Sequence, residues 1–359
     1  MALTTVHSGK QARLFIAQED TFGTARSDAA AWATGNQDGV ICLQPTGDLS
    51  PADLGGVVRN SEIRAHGQRV KKHTDIFVSQ NGSFATMPFE VLPTRHDLDF
   101  LLMGVMQDIE SEEASGTFSK LFTINRDTTQ PDFGAISGAY DEGLLMTVTL
   151  DDPIASENDQ LTSAIISELT LSSDPGNYGG RLVASGNFYS GFSLDHDNNL
   201  APASSIIPDT DYYNHSLLTT KAIESAALGV VNSFSITINN NAQRVGSSTT
   251  GNAESYAIGI PEYSITGEMS LKYDSTTKDM VNDFLSGTDR LISLGYGSGT
   301  ADGSLLIKVN AIYTGHVKEF GGDSGMFLTI PFEAVDNLAD SHNALEIQMA
   351  NSLDRAWTS

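Results

Sequence analysis

Apolar and polar residues alternate between turn signals along much of this 359-residue chain, the period-two pattern of half-buried β-strands. Residues 83–92 read as one such strand, with Phe84, Met87, Phe89 and Val91 as its apolar positions and Asn81-Gly82 as its opening turn. Residues 144–150, 165–171, 234–238, 304–310 and 326–333 read the same way, and three asparagines close the run at 238. Helical spacing is confined to two short segments, 97–103 before Gly104 and 277–285 before Ser286-Gly287. Glycine just past a periodic run is a stop signal because it tolerates the left-handed conformation.

The two helices expose an internal repeat. Gln68-Arg69-Val70, a polar loop, Gly82, the strand at 84–91 and the helix form one copy. Gln243-Arg244-Val245, a loop, Gly267, a strand at 269–273 and the second helix form the other. The separation is 175 residues at the triplet and 185 at the glycine, so the second loop is ten residues longer. Downstream, Ser167 to Leu171, Tyr178-Gly179-Gly180 and Leu182 to Phe188 match Asn310 to Thr314, Phe320-Gly321-Gly322 and Met326 to Phe332. There the separation falls to 142 at the glycines, because the first copy carries a Ser-, Thr-, Asp- and Glu-rich insertion at about 108–129. The fold expected is therefore mainly β: two tandem sandwich or barrel domains, each with one short α-helix, plus extended terminal arms. The expected limits are an N-terminal arm at 1–45, domain one at 46–195, a connector at 196–228, domain two at 229–338 and a polar tail at 339–359.

Charge changes this picture most. Twenty Lys and Arg stand against forty-five Asp and Glu, a formal net of −25. Such a chain disfavours binding to nucleic acid or anionic lipid, which needs Lys and Arg. Two readings remain open: solubility in a salty host, or a wall past which nucleic acid slides without sticking. No run approaches the ~20 apolar residues of a membrane span, and the first ten residues show no basic region leading into an apolar core. The single cysteine, Cys42, excludes an internal disulfide.

Candidate chemistry is sparse. Gly322-Asp323-Ser324-Gly325 resembles the nucleophile motif of trypsin-like proteases, but Met326-Phe327 replaces the continuing Gly-Pro and the histidine segment is missing. Gly-Asp-Ser-Gly is also ordinary hairpin chemistry. Asp195-His196-Asp197 offers alternate ligands of a calcium loop, yet Leu200 and Ile206 stand where glycine and glutamate belong. Ser275-Thr276-Thr277-Lys278 matches a bare S-x-x-K, and a helix cap explains it better. The eight histidines show no zinc spacing, and the glycine-rich stretch 295–303 reads as a hairpin tip. No enzyme, cofactor or metal is expected. The basic cluster Arg64, Arg69, Lys71 and Lys72 lacks aromatic platforms for nucleic acid, so its expected partners are carboxylates of a neighbouring subunit.

Four features resemble the tail tube proteins of long-tailed, non-contractile bacteriophages. The run from Leu14 to Thr24, with Glu19-Asp20-Thr21-Phe22-Gly23-Thr24, is similar to the family's "ETxYGT" opening. Ser61-Glu62-Ile63-Arg64, a long loop and Gly82 to Leu92 resemble its strand, stacking loop and strand. Residues 180–191 and 231–238 resemble later strands, and the duplication resembles members with two tube folds in one chain. The resemblance implies rings stacked head to tail into a virion tube, synthesised in the host cytoplasm. The rings are trimeric and pseudo-hexameric or hexameric, and the trimer is favoured. It also implies contacts with the tape-measure protein and with tail terminator and distal tail proteins, passage of DNA without specific binding, and no membrane partner. Contacts between rings or subunits are expected from Arg64, Arg69, Lys71, Lys72, Arg244, Glu254 and Tyr256, contacts with the adjacent ring from the loops 69–81 and 245–263, and bracing from the arm before Thr46. The alternatives are another virion β protein (capsid decoration or minor tail protein) and, remotely, a serine hydrolase using Ser324.

Overall fold

The computed structural model describes residues 12–19, 22–26, 40–47, 49–54, 58–60, 77–79, 84–114, 118–124, 144–151, 158–198, 210–224, 226–245, 257–275, 277–297, 301–321, 325–337 and 339–352. The first half contains β1 (Arg13–Gln18), β2 (Val40–Leu43), β3 (Ala52–Leu54), β4 (Val58–Asn60), β5 (Phe77–Ser79), β6 (Phe84–Val91), β7 (Ile109–Ala114), β8 (Phe118–Thr123), β9 (Met146–Asp151), β10 (Asn158–Ser173), β11 (Leu182–Ser190) and β12 (Asp195–Asn198). The second contains β13 (Leu218–Ile223), β14 (Ala226–Ala227), β15 (Val231–Asn239), β16 (Gln243–Val245), β17 (Ala257–Gly259), β18 (Ser264–Lys272), β19 (Arg290–Tyr296), β20 (Ser304–Tyr313), β21 (Val317–Gly321), β22 (Gly325–Ala334) and β23 (Leu345–Asn351). The protein is mainly β, with α-helices at Leu98–Met106 and Met280–Ser286 among the described residues.

The same antiparallel path is laid down twice. In the first half, neighbours run β2–β1–β9–β10–β11–β6–β3. In the second they run β14–β13–β19–β20–β22–β18–β15. A two-stranded arm projects from each path at the same place: β4–β5 between β3 and β6, and β16–β17 between β15 and β18. The helices follow β6 and β18. Two joints fuse the paths into one branched sheet. β15 adds to the free edge of β10, with Glu168 to Ser173 opposite Asn239 to Phe234. β8, from the acidic insertion, pairs with the C-terminal β23.

Each of the six alternating segments forms a strand. β15 shows the cause: Phe234, Ile236 and Ile238 are buried while Ser235, Thr237 and Asn239 take the other face. Fully burying each such apolar side chain contributes roughly 1.5–3 kcal/mol. One apolar core runs through both halves.

The sequence misleads where alternation fails. Residues 13–18 and 40–43, read as part of an arm, are core strands: Leu14, Phe15, Ile16 and Ala17 are all fully buried. A strand covered on both faces has a continuous apolar run in place of alternation. β13 lies in the stretch read as connector, because only Leu218 and Ile223 are buried in it. β23 lies in the stretch read as a polar tail; Leu345, Ile347 and Met349 face the core, Glu346 and Gln348 do not. Asp195–Asn198 is also a strand, β12, on the edge of β10.

The first helix runs through Gly104 to Met106 and stops at Gln107, which holds φ 60°. Gly104 is small for packing: a Cβ there would lie 3.0 Å from Ile166 Cδ1 and 3.1 Å from Met146 Cε. The stop belongs to Gln107, whose Nε2 donates to Gly104 O at 2.6 Å and whose Oε1 accepts from Leu144 N at 2.7 Å. The second helix does end at glycine, Gly287 with φ 66°. The Ser275–Lys278 segment forms the turn before it: Thr277 Oγ1 accepts from Asp274 N at 2.9 Å and donates to Lys272 O at 3.0 Å.

Candidate functional site: a polar sheet face, two arms and open edges

Six strands, β6–β11–β10–β15–β18–β22, lie side by side across the junction of the two paths. Strand alternation sends one set of side chains into the core and leaves the other as a polar face. One row across it reads Glu90, Ser185, Thr170, Thr237, Thr266, Glu333. The next reads Pro88, Asn187, Glu168, Asn239, Ser264, and a third holds Ser172, Ser235, Glu268 and Pro331. Behind these rows stand Phe89, Leu169, Ile236, Met269 and Ile330, all buried.

The face is polar and acidic. Thr170 and Thr237 share a 2.8 Å hydrogen bond and Asn239 Nδ2 donates to Glu168 Oε2 at 3.2 Å, while Asn187 Oδ1 has no partner among the described residues. Glu90 accepts from Thr46 Oγ1 at 3.0 Å and from the Tyr178 hydroxyl at 2.5 Å. That bond to Glu90 pushes the Tyr178 phenol up. Glu168, Glu268 and Glu333 are exposed, and the one basic residue in the six strands is Lys272. Strands are ~4.8 Å apart, so Glu90 and Glu333, five gaps apart, are separated by about 24 Å. With a Debye length of ~10 Å at 0.1 M salt, the carboxylates between them keep the whole span negative.

The second arm is anchored across the junction. Ile258 and Ile260 at its root pack on Leu145 and Ile165 of the first half. The Tyr263 hydroxyl donates to Met106 O at 2.9 Å, and burial pushes its phenol well up. Arg244, a predicted contact residue, sits half-buried in β16 opposite Ile258. Its backbone hydrogen-bonds the Tyr189 phenol, which burial nevertheless raises. The other predicted contacts, Arg64, Arg69, Lys71, Lys72, Glu254 and Tyr256, lie outside the described residues, as do Ser324 and most of both loops. Sequence reasoning missed the Glu90, Glu168, Glu268 and Glu333 set. The signal was present: each is an acid on the polar side of an alternating strand.

The opening motif at Glu19 is a structural knot. Its carboxylate, 1 % exposed, accepts from Thr147 Oγ1 at 2.6 Å, Ser163 N at 2.7 Å and Ser163 Oγ at 2.6 Å. Gly23, at φ 76°, donates its N–H to Ser163 Oγ at 2.7 Å, and Phe22 packs on Phe192 with centroids 5.2 Å apart. The motif thus locks β1 onto the β9–β10 hairpin, with Ser163 itself at φ 48°.

His196 Nδ1 lies 2.8 Å from Asp159, joining β12 to β10. Gly321 pairs with Gly325, which holds φ 91°, at the end of the β21–β22 ladder. Burial raises the Cys42 thiol to about 12. Among the described residues no three His, Cys, Asp or Glu side chains converge as metal ligands. No described helix is long and apolar enough to cross a membrane.

A doubled sheet with an acidic face and a two-stranded arm on each half is the makeup of a structural β protein of a self-assembling kind. The family model for phage tail tube proteins matches residues 9–334, and the chain belongs to that family. A search of curated proteins found no match. The family is a structural one, whose members are virion components.

Proposed function

We propose that the acidic sheet face lines the lumen of a tail tube through which DNA is ejected. Three two-domain chains form each ring, since every chain carries the sheet path twice, and rings stack head to tail through the β4–β5 and β16–β17 arms. Stacking by unlike surfaces yields an open filament. The tube's ends meet the terminator and distal tail proteins, and the tape-measure protein occupies the lumen before DNA does. The observation that carries this reading is the six-strand face with exposed Glu168, Glu268 and Glu333 against the single Lys272. Fixed carboxylates repel phosphates, and a hydroxyl-rich surface with a single Lys offers a passing backbone little positive charge to hold.

The test is a Glu168→Lys, Glu268→Lys, Glu333→Lys variant in assembled virions. Tubes should form with normal morphology, because these side chains lie off the core, while receptor-triggered DNA release slows and the defect shrinks as salt rises. Release at the native rate at low salt would refute the lumen assignment.

A further inference from the structure

The joint between the two halves of one chain supplies a template for the joint between chains. β10 is long enough to pair with β11 on one edge and, through residues 168–173, with β15 on the other. In the second half the same course is split between β20 and β21. β11 sits on β6 with Ala184 opposite Val91, and β22 sits on β18 with Leu328 opposite Leu271. Thr170 is opposite Ser185, and Val317 is opposite Thr329. β21 therefore occupies the position of the β10 segment that receives β15. Among the described residues, β21 pairs only with β22. Its apolar side chains are bare: Val317 is 55 % exposed, Phe320 70 %, and Met326 opposite Phe320 47 %.

The complementary edge is at the other end of the chain. β3 corresponds to β15: Leu54 opposite Phe84 matches Asn239 opposite Ser264, each at the foot of an arm. β15 uses its second edge to join β10, whereas β3 pairs only with β6 among the described residues. A bare edge with exposed apolar residues is a liability in a monomer.

We infer that β21 of one chain adds to the outer edge of residues 49–54 of a second copy, antiparallel, with Val317 opposite Ala52 and Phe320 opposite Leu49. This rests on the tube reading and supplies its ring contact. The register transfers from the internal joint, where Thr170 meets Thr237 and Ser173 meets Phe234. At the core-side position the internal pair is small Ser173 against large Phe234, and the new pair is Phe320 against Leu49. On the lumen side, the Thr170–Thr237 hydrogen bond is replaced by a Val317–Ala52 apolar contact. Head-to-tail joining of unlike edges leaves each copy with one edge used and one offered, so only a closed ring satisfies every chain.

The test uses full-length chains assembled into tubes. A Val317→Cys, Ala52→Cys variant is oxidised and run on a non-reducing gel. A Lys318→Cys, Ala52→Cys variant is the control, because Lys318 and Ala52 point to opposite faces. Directly opposed positions lie within ~5.5 Å between Cβ atoms, close to disulfide range. Covalent chain-to-chain linkage is expected for the first pair and not the second. Separately, Phe320→Asp should leave thermal unfolding unchanged yet reduce tube formation about tenfold or more, about 1.4 kcal/mol per decade. Tubes seen by electron microscopy with neither pair linked, with only the control linked, or with normal yield from Phe320→Asp would overturn this joint and leave the tube reading intact. If the cysteine variants do not assemble, the Phe320→Asp result alone decides. Failure of the native chain to appear in tubes or tails would instead overturn the tube reading itself.

Discussion

Asp99→Ala should destabilise the protein by about 3–5 kcal/mol, the cost of stranding one partner of a buried ion pair. Asp99 and Lys120 are both fully buried, with Lys120 Nζ 2.7 Å from Asp99 Oδ2. The pair is closed by Asn351, whose Oδ1 accepts from Lys120 Nζ at 3.3 Å and whose Nδ2 donates to Asp99 Oδ2 at 3.2 Å. Asp99 is on the first helix, Lys120 on β8 and Asn351 on β23, so one polar cluster ties the first half to the last strand of the second. Removing the carboxylate takes away the 2.7 Å counter-charge of a fully buried ammonium. The double change Asp99→Leu, Lys120→Met should cost far less, since a buried pair replaced by apolar groups of similar size is often neutral. Denaturant unfolding of the native chain, the single variant and the double variant checks both. Equal losses in the single and double variants would show that the charges are not coupled.

Gly186→Ala should destabilise the protein by about 3 kcal/mol, the upper end of the usual range for overpacking. A Cβ at Gly186 would lie 2.1 Å from the carbonyl oxygen of Glu168 and 3.0 Å from Phe89 Cζ. The first obstacle is backbone, at the register shift of β10 between Ile166 and Glu168, so no rotamer change relieves it. The same residue, Glu168, begins the β10–β15 joint, and displacing it disturbs the polar sheet face as well as the fold. Gly229→Ala is the control: nothing lies within 4 Å of its added Cβ, and surface changes of that kind stay within about 0.5 kcal/mol. Thermal melts of the two variants separate these outcomes, and a Gly186→Ala melt equal to that of Gly229→Ala would contradict the packing described.

Most of the alternating strands were legible because one face of each is wet, and β9, buried on both faces, alternates because Thr147 and Thr149 fill its second face. The wet face is also why acids of the polar sheet face were visible in principle: Glu90, Glu168 and Glu333 sit at polar positions of strands read from sequence, and Glu268 lies one residue before the strand read at 269–273. What hid the rest was burial on both faces, as in β1, or too few apolar positions, as in β13. The repeat was read through glycines, and glycine misled. Aligned by strand pairing, Phe84 corresponds to Ser264, a separation of 180 residues and not the 185 given by Gly82 and Gly267. Gly267 is no turn residue. It lies inside β18, where a Cβ would sit 2.3 Å from Phe332 Cζ. Lys120 lies in a Ser- and Glu-rich insertion, and no local pattern announces that its partner is 21 residues away on a helix. The three asparagines at 239–241 looked like a simple strand stop. Asn240 instead is buried and donates to Val105 O at 3.2 Å and Ile166 O at 2.8 Å, holding the second half to the first.

The direction in which the β6–β11–β10–β15–β18–β22 sheet faces decides the account. An electron cryomicroscopy map of the assembled tube, at a resolution that shows strands, measures it directly. The account predicts that Glu168, Glu268 and Glu333 point at the tube axis while Leu169, Met269 and Ile330 point into the wall. A map with that carboxylate face on the outer surface, or buried between rings, would contradict it.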